Sequence, residues 1–316
     1  MRATGSRSSP AAAPRYPGGM EEGFRAPTSP TGPVVLALFE SGLPTACLRW
    51  AARLSCDTGS WLHVVRVLPK EDDVGCALDA HNAIAILRSV ERTLVSHRAT
   101  SSWMRQMSSA GRIPGRFSIV RGDFVTQVAR YVEAVGAQLL LLPPQGESVS
   151  EIVAALSART RTPVLVSRAP CSVHTIIAAT DLRDAEYPVL RFAGDLGRRL
   201  DTDIIAVHNL EWPAIAGSPG ASDPADVLRG EPGRAAGLER LCRVSQQLLA
   251  PVQPVVRDDA DPVDAILDEA RTHDANLVVI GLRSGREGIT GSVAARVVDL
   301  TQRSVLVIPM QAEVEP

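Results

Sequence analysis

The sequence predicts an α/β protein built from two tandem, doubly wound parallel sheets. Short apolar runs rich in β-branched residues alternate with segments whose apolar residues recur at helical spacing, and this alternation is typical of βαβ units. The series then repeats: residues 150–168 align with residues 291–309 without a gap, which places Pro163 opposite Ser304. Such a repeat predicts a duplicated domain. The 316 residues leave room for two domains of about 150 residues each, which is enough for two separate cores.

The first repeat, residues 33–168, is predicted to contain five buried strands joined by helices. Residues 44–54 illustrate the helical pattern, because Ala46, Trp50 and Leu54 fall on one face. The strands are predicted at residues 33–39, 61–68, 116–121, 138–142 and 163–166. The helices are predicted at residues 44–54, 79–110, 124–135 and 149–157. Right-handed crossovers between the parallel strands place helices on both faces of the sheet.

The second repeat, residues 173–310, follows a short linker at residues 169–174 and shows the same alternation. Its strands are predicted at residues 175–180, 203–208, 252–256, 277–280 and 304–308. Its helices are predicted at residues 187–200, 235–249 and 262–272, with a last one beginning after Ser292. Residues 211–234 carry many Pro, Gly and Ser residues and are predicted to form a long loop.

Composition narrows the class of protein. Residues 1–32 are rich in Ala, Gly, Pro, Ser and Arg and are predicted to form a flexible, disordered tail, because so few aliphatic side chains cannot offset the entropy of ordering it. The formal net charge of −2 argues against electrostatic binding of nucleic acid. No apolar run reaches the ~20 residues that span a bilayer, and the five cysteines show no paired motif. We therefore expect a soluble cytoplasmic protein that contacts neither nucleic acid nor membrane.

A glycine-rich stretch near the carboxyl end is the strongest candidate for a binding site. The predicted strand at residues 277–280 ends at Gly281, and three more glycines precede Ser292. Glycines allow positive φ and a close approach of the backbone to a ligand. Ser292 is predicted to cap the next helix, whose free N–H groups and dipole favour an anion. The alternative interpretation is that a glycine-rich turn only packs the helix tightly against the sheet.

Residues 276–309 resemble the carboxyl end of a universal stress protein domain, whose nucleotide-binding members carry a Gly-x2-Gly-x9-Gly-Ser/Thr loop. Gly281 and the Gly291-Ser292 pair match this pattern, whereas Gly285 lies one place late and the loop is three residues shorter. Residues 178–210 are similar to the opening of such a domain, where an Asp just past the first strand touches the adenine or ribose. Asp181 occupies that place, although a carboxylate there could also simply cap the following turn.

The resemblance covers nearly all of residues 33–309 and implies five-stranded parallel sheets of order 3-2-1-4-5. It also implies a stress-response regulatory protein that binds ATP or a related adenine nucleotide in its second domain, with Mg²⁺ accompanying the nucleotide, and that has protein partners still to be identified. The residues implied to bind the nucleotide are Asp181, Gly281, Gly288, Gly291, Ser292 and Val293.

The first repeat lacks the features of this site. Residues 143–147, Pro-Pro-Gln-Gly-Glu, replace the glycine loop, and two prolines remove two N–H donors. We therefore predict a degenerate, structural first domain. The alternative for the whole protein is a structural or protein-interaction member that binds no nucleotide. We expect no enzymatic activity, because neither an H-E-x-x-H nor a G-x-S-x-G motif is present.

The fifth strand of each repeat is expected to lie at a sheet edge, where unpaired N–H and C=O groups seek a partner. A duplicated chain can pair its two edges about an internal pseudo-twofold axis. We therefore predict that residues 164–166 lie antiparallel beside residues 305–307, so that the two domains form an intramolecular pseudo-dimer.

Overall fold

The computed structural model describes residues 32–38, 45–69, 115–144, 149–168, 172–183, 186–210, 231–248, 251–258, 261–283 and 292–310. The predicted tail, except for its last residue, lies outside these ranges, as do the predicted helix at residues 79–110 and most of the predicted loop at residues 211–234. Gly288 and Gly291 also lie outside the described residues.

The described part of the first repeat contains five strands and three helices. The strands are β1 (Val34–Leu38), β2 (Leu62–Leu68), β3 (Gly115–Arg121), β4 (Leu139–Leu142) and β5 (Val164–Val166). The helices are α1 (Thr45–Thr58), α2 (Phe124–Val135) and α3 (Val149–Thr160). Local sequence sets the limits of α2: the Asp123 carboxylate accepts a hydrogen bond from the Thr126 N–H at 2.9 Å, and Gly136 ends the helix at φ 60°.

The described part of the second repeat contains five strands and four helices. The strands are β6 (Thr175–Ala179), β7 (Asp203–Asn209), β8 (Val252–Arg257), β9 (Leu277–Arg283) and β10 (Ser304–Met310). The helices are α4 (Pro188–Leu200), α5 (Glu231–Ser245), α6 (Pro262–Thr272) and α7 (Val293–Leu300). The predicted strands and helices therefore recur in the structure wherever it describes the chain.

All ten strands join one sheet of order β3-β2-β1-β4-β5-β10-β9-β6-β7-β8. Within each half the strands are parallel, and each half has the predicted order 3-2-1-4-5 when it is counted along its own repeat. Runs such as Leu139–Leu142 are wholly buried, as expected for strands covered on both faces. The predicted doubly wound α/β fold is confirmed.

The two halves meet through their fifth strands. Strand β5 pairs antiparallel with β10, so that Val166 lies beside Val305, Leu165 beside Leu306 and Val164 beside Val307. This is the register predicted from the sequence. The pair satisfies backbone groups that would otherwise form two exposed edges. The two sheets thereby become one mixed sheet with a seam at β5 and β10.

The helices form two layers on the sheet. Helices α1, α4 and α5 cover one core, which includes Trp50 and Leu306, and the remaining described helices cover the other, which includes Val166 and Val305. On this second face α3 and α7 pack together across the seam, where the Ser150 hydroxyl donates to the Asp299 carboxylate at 2.7 Å. No helix in the described ranges is both long and apolar enough to cross a membrane.

Several boundaries differ from the sequence prediction. Strand β9 was expected to end at Gly281 but continues to Arg283, because β10 supplies hydrogen-bonding partners along its whole length. Helix α3 extends to Thr160 rather than residue 157, and α5 begins at Glu231, inside the predicted loop. The end of β9 therefore depends on a tertiary partner rather than on a local turn residue.

Candidate functional site

The carboxyl ends of β6 and β9 form the candidate site. These two strands are neighbours in the sheet although the chain between them runs through β7 and β8. The connections on the two sides of β6 therefore leave in opposite directions, and ligands of open α/β sheets bind at such a switch point. Asp181 lies two residues beyond the end of β6, and Arg283 is the last residue of β9.

Asp181 and Arg283 form an ion pair across this switch point. The Arg283 Nη2 and Nε atoms donate to Asp181 Oδ2 at 2.9 and 3.2 Å. The other carboxylate oxygen, Oδ1, accepts the Arg183 N–H at 3.0 Å. Asp181 thus does cap the following turn, as one of the two interpretations predicted. Its side chain is 38% exposed and that of Arg283 28%, so both charges face solvent in the crevice.

Gly281 lies inside β9 and pairs with Ile308. A Cβ placed on it would lie 2.9 Å from Met310 Cγ and 3.2 Å from Val189 Cγ2. Its φ is not positive. The packing interpretation therefore applies to this glycine, because its missing side chain lets α4 and β10 approach β9.

Ser292 is the N-cap of α7, as the sequence predicted. Its hydroxyl accepts a hydrogen bond from the Ala295 N–H at 3.2 Å. Val293 is the first residue of the helix and is partly buried. The amino end of α7 therefore has further backbone N–H groups without a partner inside the helix.

Asp261 and Arg296 link the amino ends of α6 and α7. The two guanidinium Nη atoms of Arg296 donate to the two carboxylate oxygens of Asp261 at 2.6 and 3.2 Å. Asp261 also caps α6 by accepting the Val263 N–H at 2.9 Å. The hydrogen bonds from Arg296, more than the one from Val263, lower the pKa of Asp261. This bidentate pair fixes α7 relative to α6.

Comparison with known proteins identifies the second half. Residues 172–309 match the model of the universal stress protein family. These residues are a universal stress protein domain. No curated protein sequence matches the chain significantly.

Solved structures extend the similarity of fold to both halves. A universal stress protein from Archaeoglobus fulgidus superposes with a TM-score of 0.59 at 14% identity, covering 87% of this chain and 98% of its own. A protein of unknown function from Pseudomonas aeruginosa gives 0.57 at 18% identity, with 89% and 93% covered. At these identities the similarity establishes the tandem fold.

His208 supports the main chain of the universal stress protein domain next to Asp181. It lies near the end of β7, and its Nδ1 is 3.0 Å from the carbonyl oxygen of Thr180, which indicates that the ring donates there. The contact holds the turn between β6 and Asp181. The sequence placed His208 at this strand end without assigning it a role.

Sequence analysis found Asp181 and Ser292 but missed Arg283, the Asp261–Arg296 pair and the role of His208. An Asp directly before Pro262 was an available signal for a helix cap. The arginines carried no such signal, because their partners are distant in the sequence. Within the described residues no group of three or more His, Cys, Asp or Glu side chains could hold a metal ion.

Proposed function

We propose that the universal stress protein domain binds ATP or a related adenine nucleotide at the carboxyl ends of β6 and β9. In this proposal, occupancy of the site changes the contacts of the chain with protein partners during a stress response. The Asp181–Arg283 pair carries the proposal, because it joins a hydrogen-bond acceptor and a phosphate-binding cation at the switch point of the sheet.

The two charged groups suit different parts of a nucleotide. The Asp181 carboxylate can accept hydrogen bonds from ribose hydroxyls or from the adenine amino group. The Arg283 guanidinium presents a planar fork that matches phosphate oxygens. Both side chains are partly exposed, so a nucleotide could replace their mutual contact without the cost of breaking a buried ion pair.

The amino end of α7 would hold the phosphates. Ser292 caps this helix, and its free N–H groups with the helix dipole attract an anion. Val293 begins the helix, and Gly288 and Gly291 precede it in the sequence. Mg²⁺ would then be held mainly by the phosphate oxygens and water, as is usual for this ion at nucleotide sites.

We further propose a single site in each chain and an internal pseudo-dimer of the two domains. The first half has Pro143 and Pro144 after β4, so that end of the strand offers fewer N–H donors than the corresponding end of β9. Its role is to complete the shared sheet through β5 and β10. The proposed activity is binding without catalysis.

Calorimetric titration of the full chain with ATP tests the proposal. We expect one site per chain, and we expect adenine nucleotide to be released when freshly purified protein is denatured. Asp181→Asn should weaken binding at least tenfold, which corresponds to the loss of about 1.4 kcal/mol from a charge-assisted hydrogen bond. Asp195→Asn is the matched control, because Asp195 is an exposed aspartate on α4 that pairs with Arg198. Two equivalent sites per chain would contradict the proposal.

Gly291→Val tests whether the loop approaches the phosphates. A branched Cβ would restrict the turn and block the ligand, so binding should be lost while the thermal unfolding temperature stays close to that of the wild type. Unchanged affinity in this variant would show that the loop is only a packing turn.

A chain that binds no nucleotide is the second candidate function. One observation favours it: Asp181 is already engaged by Arg283 and by the Arg183 N–H. Arg283→Ala separates the two possibilities. If Arg283 binds phosphate, the variant loses ATP affinity but keeps its affinity for adenosine. If the chain is an interaction protein, neither ligand binds to wild type or variant.

A further inference from the structure

A cavity of about 210 Å³ lies on the seam between the two halves, remote from the proposed nucleotide site. The paired residues Leu165 and Leu306 of β5 and β10 line it, and residues of α1 and α4 line it from the two repeats. The opposite face of the same seam is closed by α3 and α7, which pack directly together. On the cavity face α1 and α4 also touch, but over a smaller area, and the cavity lies between them and the sheet.

The walls of the cavity come in matching pairs from the two repeats. Trp50 and Leu54 of α1 face it from one side, and Phe192 and Leu196 of α4 from the other. Trp50, Leu54 and Leu196 are buried, and Phe192 is partly exposed. The cavity is partly open and its lining is mainly apolar, so water inside it finds few hydrogen-bonding partners. An apolar ligand that displaces this water gains hydrophobic stabilisation.

The size of the cavity limits the ligand. An apolar cavity of about 150 Å³ accommodates benzene in a well-studied protein, so this larger cavity has room for an apolar group of about eight non-hydrogen atoms. This suits a short aliphatic chain or one aromatic ring with a small substituent.

One lining cation is free to bind a charged head group. Arg199, in the last turn of α4, lines the cavity, is exposed, and forms no ion pair or hydrogen bond among the described residues. The other charged lining residue, Asp195, is engaged by Arg198, which does not line the cavity. The balance of charge at the opening is therefore positive. Thr58 and Gln138 add polar groups at the lining.

We propose that this cavity binds a small carboxylate with an apolar body, whose tail lies between α1 and α4 and whose carboxylate pairs with Arg199. The site differs from the nucleotide site in position as well as in chemistry. Leu277, the first residue of β9, lines the cavity, whereas Arg283 lies six residues further along the strand, about 20 Å away at 3.3 Å per residue. The proposal is independent of nucleotide binding.

Calorimetry with octanoate and the full chain tests the proposal, with 1-octanol as the uncharged probe of the same length. We expect one octanoate per chain. Arg199→Gln should weaken octanoate about threefold to fivefold, as for a solvent-accessible ion pair, and should leave the affinity for 1-octanol within twofold. Arg191→Gln is the matched control, because Arg191 is an exposed arginine of the same helix that does not line the cavity, and its removal leaves the Asp195–Arg198 pair intact. It should change neither affinity.

A second test fills the cavity with larger side chains. Leu196→Phe and, separately, Leu54→Phe place extra carbon atoms in the space from its two sides. Each should weaken both probes at least tenfold, and thermal unfolding shows whether each variant remains folded. Lack of saturable binding by wild type would overturn the proposal, as would unchanged binding in a folded filling variant. An equal effect of Arg199→Gln on both probes would overturn the assigned role of that arginine.

Discussion

The carboxyl ends of β4 and β9 occupy equivalent places in the two halves but differ in length and chemistry. The pairing of β4 with β5 and of β9 with β10 shows that Pro143 has the place in the first half that Gly281 has in the second. Strand β4 stops at Leu142, immediately before the proline, whereas β9 continues to Arg283. Proline has no N–H to donate to the next strand. The proline and the short neighbouring strand β5 together end β4 early, whereas β9 has the longer β10 beside it and reaches Arg283.

The space beside these strand ends is filled in both halves by the first helix of the repeat. In the first half the Cys47 thiol lies 3.8 and 3.5 Å from the carbonyl oxygens of Leu142 and Ser167 and is fully buried. In the second half Val189 has the corresponding place and is also buried, beside Gly281 and Met310. Duplication has thus preserved the sheet and its core, and the exposed Asp181–Arg283 pair lies beyond this shared packing in the second half.

Equivalent substitutions in the cores of the two halves should lower the free energy of unfolding by the same amount. Leu165→Ala and Leu306→Ala each remove a buried side chain from the seam, and each should lower the free energy of unfolding by about 3 kcal/mol. Urea denaturation measures both. A difference of more than about 1.5 kcal/mol between the two variants would break the equivalence of the halves, since such a gap is large compared with ordinary errors of extrapolation.

Substitutions at Gly281 and at Pro143 should change the free energy of unfolding by different amounts. Gly281→Val introduces atoms where Met310 and Val189 already lie, and overpacking of this kind costs about 1–3 kcal/mol. Pro143→Ala should cost less than about 1 kcal/mol, mainly by making the unfolded chain more flexible. Chemical denaturation of both variants measures the contrast. Equal stabilities would mean that Gly281 is not needed for close packing.

His63 makes the first half sensitive to acid. The pairing of β1 with β2 and of β6 with β7 gives His63 the place that Ile205 has in the second half. Burial, followed by the positive charge of Arg116, lowers the pKa of His63 to about 4. The unfolded chain therefore takes up this proton first, near pH 6.5, and stability falls as the pH drops from about 6.5 to about 4.

His63→Ile should remove this contribution. The wild type should lose on the order of 2 kcal/mol more than the variant between pH 7 and pH 4, a figure discounted because His63 is partly exposed. Carboxylates that titrate in the same window affect both proteins alike, so the difference isolates the histidine. Tyr131 contacts the ring of His63 and is the same in both proteins. Parallel curves for the two proteins would contradict the assignment.

Substitution of Cys47 should have the smallest effect on stability among these predictions. Burial raises the pKa of its thiol to about 11, with a small opposing contribution from Ser167. Only the thiolate reacts readily, so at pH 8 iodoacetamide should modify the partly exposed Cys242 well before Cys47. Peptide mass spectrometry measures the two rates. Cys47→Val should change the free energy of unfolding by less than about 1 kcal/mol, because its sulfur contacts are long.

Local sequence determined the bounds of those helices that have capping residues at their ends. Helix α2 has the predicted bounds because Asp123 and Gly136 cap it, and α6 has them because Asp261 and Pro262 begin it. Ser292 likewise fixed the start of α7. The duplication and the apolar edge strands were sufficient to predict the β5–β10 pairing in its observed register, because each edge needs a partner and the other repeat supplies one.

Tertiary structure alone decided where distant residues meet. The length of β9 depends on β10, whose backbone supplies partners for residues 281–283. Arg283 reaches Asp181 only because β9 and β6 become neighbours, although the two residues are 102 positions apart. The cavity depends on how α1 and α4 lie over the seam. Sequence periodicity specifies which face of an element is buried, but the contacts between faces follow from packing the whole chain.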